Sequence, residues 1–402
     1  MADYILSCCS TADLTQRHFD ERNICYICFH YELDGKQYPD DLGKSMPFDQ
    51  FYKAMAAGAE TKTSQVNVEE FVQYFTPFLE QGKDILHVCL SSGISGVFNS
   101  ANAARAELAE KYPELVCFDA DLAGATMSKF FKEACPERFF DCGIAEGNMV
   151  GIAAGLAAAG MIPFCSSFAM FTAGRAFEQI RNSVGYPHLN VKIGATHAGI
   201  TVGEDGATHQ CCEDIATMRT IPGMVVISPA DAVEARAAVE AAIHYNGPVY
   251  LRFGRMATPV LFDRDSYRFE IGRGVVMAEG IDVTIVANGI MTAMALEAKE
   301  LLAAEGISAA VINIHTVKPL DEELLLSYAS KTRAVVTCEE HNIIGGLGSA
   351  VCELLSEKCP VPVRRVGVRD TFGRSGKVAE LLSLYGLTPD AIASAARDAL
   401  GR

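Results

Sequence analysis

Short runs rich in Val and Ile alternate with longer Ala-rich runs along most of this chain, as in "VKIGATH", "MVVISP", "DVTIVANG", "AAVINIH" and "RAVVTCEEH". A strand followed by a helix that crosses back gives parallel strands. The fold class is therefore α/β, with mainly parallel sheets flanked by helices. A chain of 402 residues exceeds one compact core. Changes of texture divide it into three modules, residues 1–111, 112–262 and 263–402, with the linker "TPVLFDRDSYRF" across the last boundary. In the first module the pattern predicts strands at "YILSCC", "ICYICFHYEL" and "DILHVCLSS", and helices over Pro47–Ala57, Val68–Gln81 and Val97–Lys111. Ser228, with Pro229 at the first helical position, and Asp321, after Pro319, read as helix caps.

The formal charge of −16 argues against nucleic acid and anionic membranes as partners. The longest apolar run, Met149–Phe164, holds Pro163 and falls short of the ~20 residues of a membrane span. The start "MADYILSCCSTADL" lacks the basic region and apolar run of a secretory signal, so a cytoplasmic protein is expected. Fourteen cysteines are scattered, and Cys25 and Cys28 form the one C-x-x-C. In a strand those two point to opposite faces, which disfavours a shared metal. No metal site is expected, and the thiols read as reduced in a reducing compartment.

Four features converge in the middle module. Glu146 stands at the mouth of an almost featureless apolar helix in "GIAEGNMVGIAAG". It is either a first-turn acid favoured by the helix dipole or a buried acid/base group. Phe168 and Phe171 lie three apart in "SSFAMFTAGR", as core side chains or as a ring clamp. His197, Asp205 and His209 share the Gly-rich stretch "THAGITVGEDGATHQ", and Arg252 and Arg255 follow in "YLRFGR". Ligands of open parallel sheets sit beyond the carboxyl ends of the strands, where all four features fall. Two His, one Asp and two Arg suit a phosphorylated, hydroxylated substrate. The phosphate-loop pattern G-x-x-x-x-G-K-[ST] does not occur.

On "DADLAGAT", "FDCGIAEGNMVGIAAG", "FAMF", "THAGITVGEDGATHQ" and "GPVYLRFGR", which follow in order, residues 112–402 resemble the C-terminal portion of transketolase. That portion is the pyrimidine-binding domain followed by the C-terminal domain. The resemblance implies thiamine-diphosphate-dependent transfer of a two-carbon ketol unit between sugar phosphates. In the family, the acid matching Glu146 contacts N1′ of the cofactor's aminopyrimidine and so promotes loss of the thiazolium C2 proton. The positions matching Phe168 and Phe171 pack on the pyrimidine ring. His197 and Arg255 would hold substrate phosphate, Asp205 would orient a hydroxyl, and His209 would assist proton transfer. Arg252 is a weaker candidate, and "CEEHNIIGGLGSA" matches a packing pattern. The family's Mg²⁺ and diphosphate are held by a G-D-G…N motif, and this chain carries no G-D-G. The resemblance thus implies a split enzyme, inactive alone. An N-terminal transketolase subunit would supply the diphosphate-binding domain and the Mg²⁺ ligands, in a homodimer or heterotetramer.

The first 111 residues differ. "ILSCCSTADLT", "YELDGKQYPDD", "TKTSQVNVEEF" and "LHVCLSSGISGVFNSANAA" resemble the N-terminal part of the DegV family of fatty-acid-binding proteins. That resemblance implies a carboxylate held by Thr63, Ser64, Ser92 and Ser95. Two departures stand against it. The family's D-S-S or D-S-T opening reads Cys8-Cys9-Ser10 here, and the remainder of a DegV protein does not follow. A fatty-acid-binding protein, or a chimeric chain without joint function, are the alternative readings. "GISGV" lacks the second Gly of a G-x-S-x-G nucleophile elbow, so Ser95 is a poor hydrolase nucleophile.

Overall fold

The computed structural model of the protein describes residues 4–9, 15–28, 30–64, 74, 76–78, 81, 84–88 and 112–401. They belong to two compact units, Met1–Ser92 and Gly93–Arg402.

In the first unit, Tyr4–Cys9 lies between Ile24–Ile27 and Asp84–Val88 in a parallel three-stranded sheet. A second, antiparallel sheet runs Lys36–Pro39, His30–Leu33, Thr61–Ser64. "ICYICFHYEL", expected as one strand, is therefore two strands in two sheets, with Cys28 between them. The cause is the Asp34-Gly35 turn, with φ of 49° and 79°. Left-handed backbone at both central residues favours a tight hairpin, which commits His30–Leu33 to Lys36–Pro39. The helix expected over 47–57 spans Phe48–Ala56 and follows Pro47. Residues 97–111 and most of 68–81 lie outside the described residues.

The second unit holds two sheets. The larger runs Thr316–Lys318, Val225–Ile227, Val249–Arg252, Lys192–Thr196, Ile162–Phe168, Leu115–Asp119, Phe139–Asp141. Its strands are parallel except Thr316–Lys318. The smaller runs Val275–Ala278, Ala309–Asn313, Val283–Ala287, Val335–Asn342, Val363–Val368, and its first strand is antiparallel. The inner strands are buried along their whole length, as expected where helices cover both faces. Thr316–Lys318 lies in sequence between Ala309–Asn313 and Val335–Asn342 of the smaller sheet yet pairs with the edge of the larger one, so the two sheets are stitched together.

The helix Glu146–Ala158 turns Met149, Val150, Ala153 and Ala154 inward, while Gly151, Ile152 and Gly155 stay exposed. Burying each large apolar side chain of that inward face contributes roughly 1.5–3 kcal/mol. Asp321 caps Glu322–Lys331 as expected, accepting from Leu324 N at 3.1 Å. Ser228 does not cap its helix. Its N–H donates to the carbonyl of His315 at 2.7 Å, and the helix begins four residues later at Ala232. Asp231 caps it instead, accepting from Glu234 N at 2.8 Å, while its second oxygen takes Leu261 N and Phe262 N. Among the described residues, no helix is long and apolar enough to cross a membrane. No three metal-ligating side chains cluster among them either.

Candidate active site

Three adjacent parallel strands, Ile162–Phe168, Lys192–Thr196 and Val249–Arg252, end side by side. Phe168 is the last residue of its strand and pairs in register with Thr196. The next residue, His197, has φ of 55°, a left-handed conformation costing about 1–2 kcal/mol for a non-glycine residue. Two contacts hold it there. Its ring stacks on Phe168 at 3.9 Å and 18°, and its Nδ1 lies 3.1 Å from Thr196 Oγ1. Phe171 stacks on Phe168 at 5.8 Å and 11°. His209 stands edge-on to Phe168 at 6.2 Å and to Phe171 at 5.4 Å. Four rings from two strand-to-helix connections thus gather at the carboxyl edge of the sheet, three of them near-parallel and His209 edge-on. Burial, and then the Arg255 guanidinium, push His197 down to about 4, against the pull of Asp205. Near neutral pH its imidazole is uncharged, with one N–H to donate and one lone pair.

The loop carrying Asp205 and His209 is clamped from the second sheet. A Cβ at Gly199 would lie 2.3 Å from Glu340 Oε1, and one at Gly206 would lie 2.5 Å from Ser375 Oγ. Both glycines have positive φ, 82° and 76°, so the close approach and the backbone together require glycine. Glu340, pushed up by burial, accepts from Thr201 N at 2.7 Å. Gln210 Nε2 donates to the carbonyls of Ile200, Gly203 and Arg374. At the rim, Arg255 donates to the Val202 carbonyl and lies 3.7 Å from Asp205, with side-chain exposures of 35% and 41%.

Arg252, three residues before Arg255, is a strut and not a substrate group, which corrects its weaker candidacy. Its Nε donates to Asp214 Oδ2 at 2.8 Å and its Nη2 to the Glu340 carbonyl at 2.9 Å. Tyr250 donates to the same Asp214 oxygen at 2.9 Å, and all of these groups are buried.

Glu146 opens its helix with 1% exposure. Arg175 Nη1 donates to its two oxygens at 2.9 and 2.8 Å. The same guanidinium lies 4.6 Å over the ring of Phe171, so the acid and the ring platform meet at one side chain. Sequence reasoning did not single out Arg175. The available signal was its spacing of four from Phe171 in a helical segment, which places two side chains as neighbours.

In the first unit, Thr63 and Ser64 lie in the strand Thr61–Ser64. Ser92 and Ser95 lie outside the described residues.

Comparison with known proteins bears on the same segments. A family model described as "Transketolase, pyrimidine binding domain" matches residues 97–260, and "Transketolase, C-terminal domain" matches 272–392. A model described as "Uncharacterised protein, DegV family" matches residues 9–135. A putative transketolase C-terminal section of Methanocaldococcus jannaschii is 49% identical over 308 residues, which is 76% of this chain and 96% of that protein. The 6-deoxy-6-sulfo-D-fructose transketolase subunit SqwH of Clostridium sp. (strain MSTE9) is 48% identical over 296 residues, 74% of this chain and 92% of that one. Among solved structures, "Split gene transketolase, inactive beta4 tetramer" superposes with a TM-score of 0.72 at 53% identity, covering 76% of this chain and 99% of that chain. With two domain models in order and a relative matched across nearly its full length, the chain belongs to the transketolase family, among the chains that carry its C-terminal section.

Proposed function

We propose that this chain is the C-terminal subunit of a split, cytoplasmic transketolase that moves a two-carbon ketol unit between sugar phosphates. It would act only when a partner subunit supplies the diphosphate- and Mg²⁺-binding domain. In that reading the pyrimidine side spans residues 112–262, the C-terminal domain spans 263–402, and residues 1–111 are an accessory module. The observation that carries it is the buried Glu146 carboxylate beside the stacked rings of Phe168 and Phe171. A flat apolar platform with one acid at its edge fits the aminopyrimidine half of thiamine diphosphate.

Thiamine diphosphate, when bound, supplies a carbon nucleophile and an electron sink. The chain's own residues do the rest. Glu146, buried at the start of its helix, would hold or release a proton at the pyrimidine nitrogen. His197, uncharged and fixed by its stack, donates a hydrogen bond without adding charge to the cleft. Arg255 offers the rim charge that a substrate phosphate needs, and Asp205 beside it accepts from a sugar hydroxyl. His209, half-buried against Phe171, moves a proton between substrate oxygen and water. That a solved relative is described as an inactive tetramer supports the need for a partner.

The test is a mixing assay. This chain and a diphosphate-domain subunit from the same genome, with thiamine diphosphate and Mg²⁺, are followed for ketol transfer from xylulose 5-phosphate to ribose 5-phosphate. Activity is expected only on mixing, and a folded pair with no activity toward any sugar phosphate sinks the proposal. The DegV-family match favours a second reading for the first module alone, binding of a fatty acid. Fatty acid that co-purifies with the chain and is lost in a Thr63→Ala, Ser95→Ala variant supports it, and purification free of fatty acid removes it.

A further inference from the structure

Arg175 makes both contacts that the proposed function gives to the cofactor's pyrimidine. Its guanidinium is a flat cation with Nη1 against both oxygens of Glu146, at 2.9 and 2.8 Å, and its Cζ 4.6 Å from the centroid of the Phe171 ring. A carboxylate can accept from two donors, but a pyrimidine that packed on the ring face now under the guanidinium would have to displace Arg175 from it. We infer that Arg175 is a displaceable stand-in. It neutralises Glu146 while the cofactor site awaits its ligand, and it swings out to water when the pyrimidine enters.

The physical chemistry supports both halves of that exchange. A carboxylate with 1% exposure is either paired with a cation or takes up a proton, so a cation at Glu146 keeps it ionised before the cofactor arrives. Arg175 is built to leave. Its side chain is 50% exposed, whereas Arg252, the permanent strut, is 4% exposed. Both of its bonds to Glu146 come from one nitrogen, a forked contact weaker than a fork-on-fork pair of two parallel N–H donors. It also ends a π-helical turn, Met170–Arg175, a wide turn found preferentially at functional positions. In that turn Gly174 leaves room for the Met170 side chain, whose Cε would lie 2.4 Å from a Cβ there.

This inference rests on the proposed function, and its consequence is quantitative. The cofactor meets a competent site only in the fraction of molecules whose Arg175 has moved off Glu146, so the apparent Kd is raised by the inverse of that fraction. Removing the competitor should therefore tighten cofactor binding, the opposite of what loss of a binding or supporting residue does.

The experiment measures thiamine diphosphate binding, with Mg²⁺, by equilibrium dialysis on the reconstituted pair, and thermal stability with and without the cofactor. Arg175→Ala is expected to tighten binding roughly tenfold, for a closed state favoured about ten to one. It should lower Tm without cofactor and leave Tm with cofactor near the wild type. Arg175→Gln, which keeps a neutral hydrogen bond to Glu146, should tighten binding by a smaller factor and serves if the alanine variant does not fold. In cofactor-free protein, the Tm lost in Arg175→Ala should return when Glu146→Gln is added, since no buried charge then remains. Unchanged or weakened binding in both Arg175 variants, with normal binding by the wild type, overturns the stand-in. A wild-type pair that binds no thiamine diphosphate overturns the proposed function, and the stand-in with it.

Discussion

Arg252 and Arg255 sit three residues apart on one strand and its outgoing loop, and they belong to two kinds of electrostatics. Around Arg252, the Asp214 carboxylate and the Glu340 carbonyl accept at 2.8 and 2.9 Å, and Tyr250 donates to the same Asp214 oxygen at 2.9 Å, in a space closed to water. Around Arg255, the nearest acid is 3.7 Å away and both partners are more than a third exposed. The first cluster joins the two sheets and loses energy if any member moves. The second leaves donors and acceptors uncommitted at a cleft, where a ligand can still claim them. Residue type alone does not separate a strut from a binding group. The degree to which hydrogen-bonding capacity is already spent does.

Glu146 is the sharpest test of that distinction, because it is as buried as Asp214 yet is held by a half-exposed partner. Glu146→Gln keeps shape and hydrogen bonding and removes the ionisable proton. It should lower ketol transfer by the reconstituted pair about 10²–10⁴-fold, with assembly intact by size-exclusion chromatography. Near-normal turnover would place Glu146 with the struts.

Arg252→Met should act on stability. It leaves the fully buried Asp214 without its counter-charge, a loss of about 3–5 kcal/mol for a broken buried pair. Chemical denaturation of the chain alone measures it, and Asp214→Asn in the same background should recover much of the loss. A variant as stable as the wild type would mean that the joint is not held by this pair.

Arg255→Gln should leave stability almost unchanged and raise KM for phosphorylated ketoses by about ten- to a hundredfold, the worth of one charge-assisted hydrogen bond. An unphosphorylated ketose should show no such change. If both substrates lose equally, Arg255 shapes the 200–205 loop through the Val202 carbonyl and does not bind phosphate.

These contrasts also mark what could be read in the amino-acid sequence. The parallel α/β framework was legible because strand runs and helical runs differ in period and composition. The ring platform was legible because Phe168, Phe171, His197 and His209 occupy recognisable stretches at strand ends. What escaped depended on partners distant in sequence. "SPAD" offers two helix caps three residues apart. Asp231 wins because the His315 carbonyl claims the Ser228 N–H and the linker at 261–262 docks on Asp231. Arg252 looked like a binding group because nothing local shows that Glu340, eighty-eight residues on, closes over it. The split of "ICYICFHYEL" was local, written in Asp34-Gly35, and a closer reading of turn chemistry finds it.

Two histidines extend the comparison to pH, with the smallest expected effect. Burial lowers both His197 and His315 from 6.5 to about 4, and Arg255 adds to the effect on His197. Between those values the unfolded chain takes up protons that the native chain refuses. Their contribution to stability is therefore full above 6.5 and is lost as pH falls toward 4, by up to about 1.4 kcal/mol per pH unit for each proton. Glu234, raised by burial to about 7, works in the opposite sense from 4.5 upward, so the net slope is shallower than two histidines alone would give. The two imidazoles differ in what can reach them. His315 is sealed at 1% exposure against Phe269, with ring centroids 4.2 Å apart, whereas His197 lies behind the half-open rim of Arg255 and Asp205. A phosphate anion entering that rim stabilises protonated His197 and leaves His315 untouched. In inorganic phosphate, the part of the Tm-versus-pH slope removed by His197→Gln should shrink, while the part removed by His315→Gln should stay the same. Equal shrinkage for both would show a general salt effect, and the cleft would then have no selective hold on the anion.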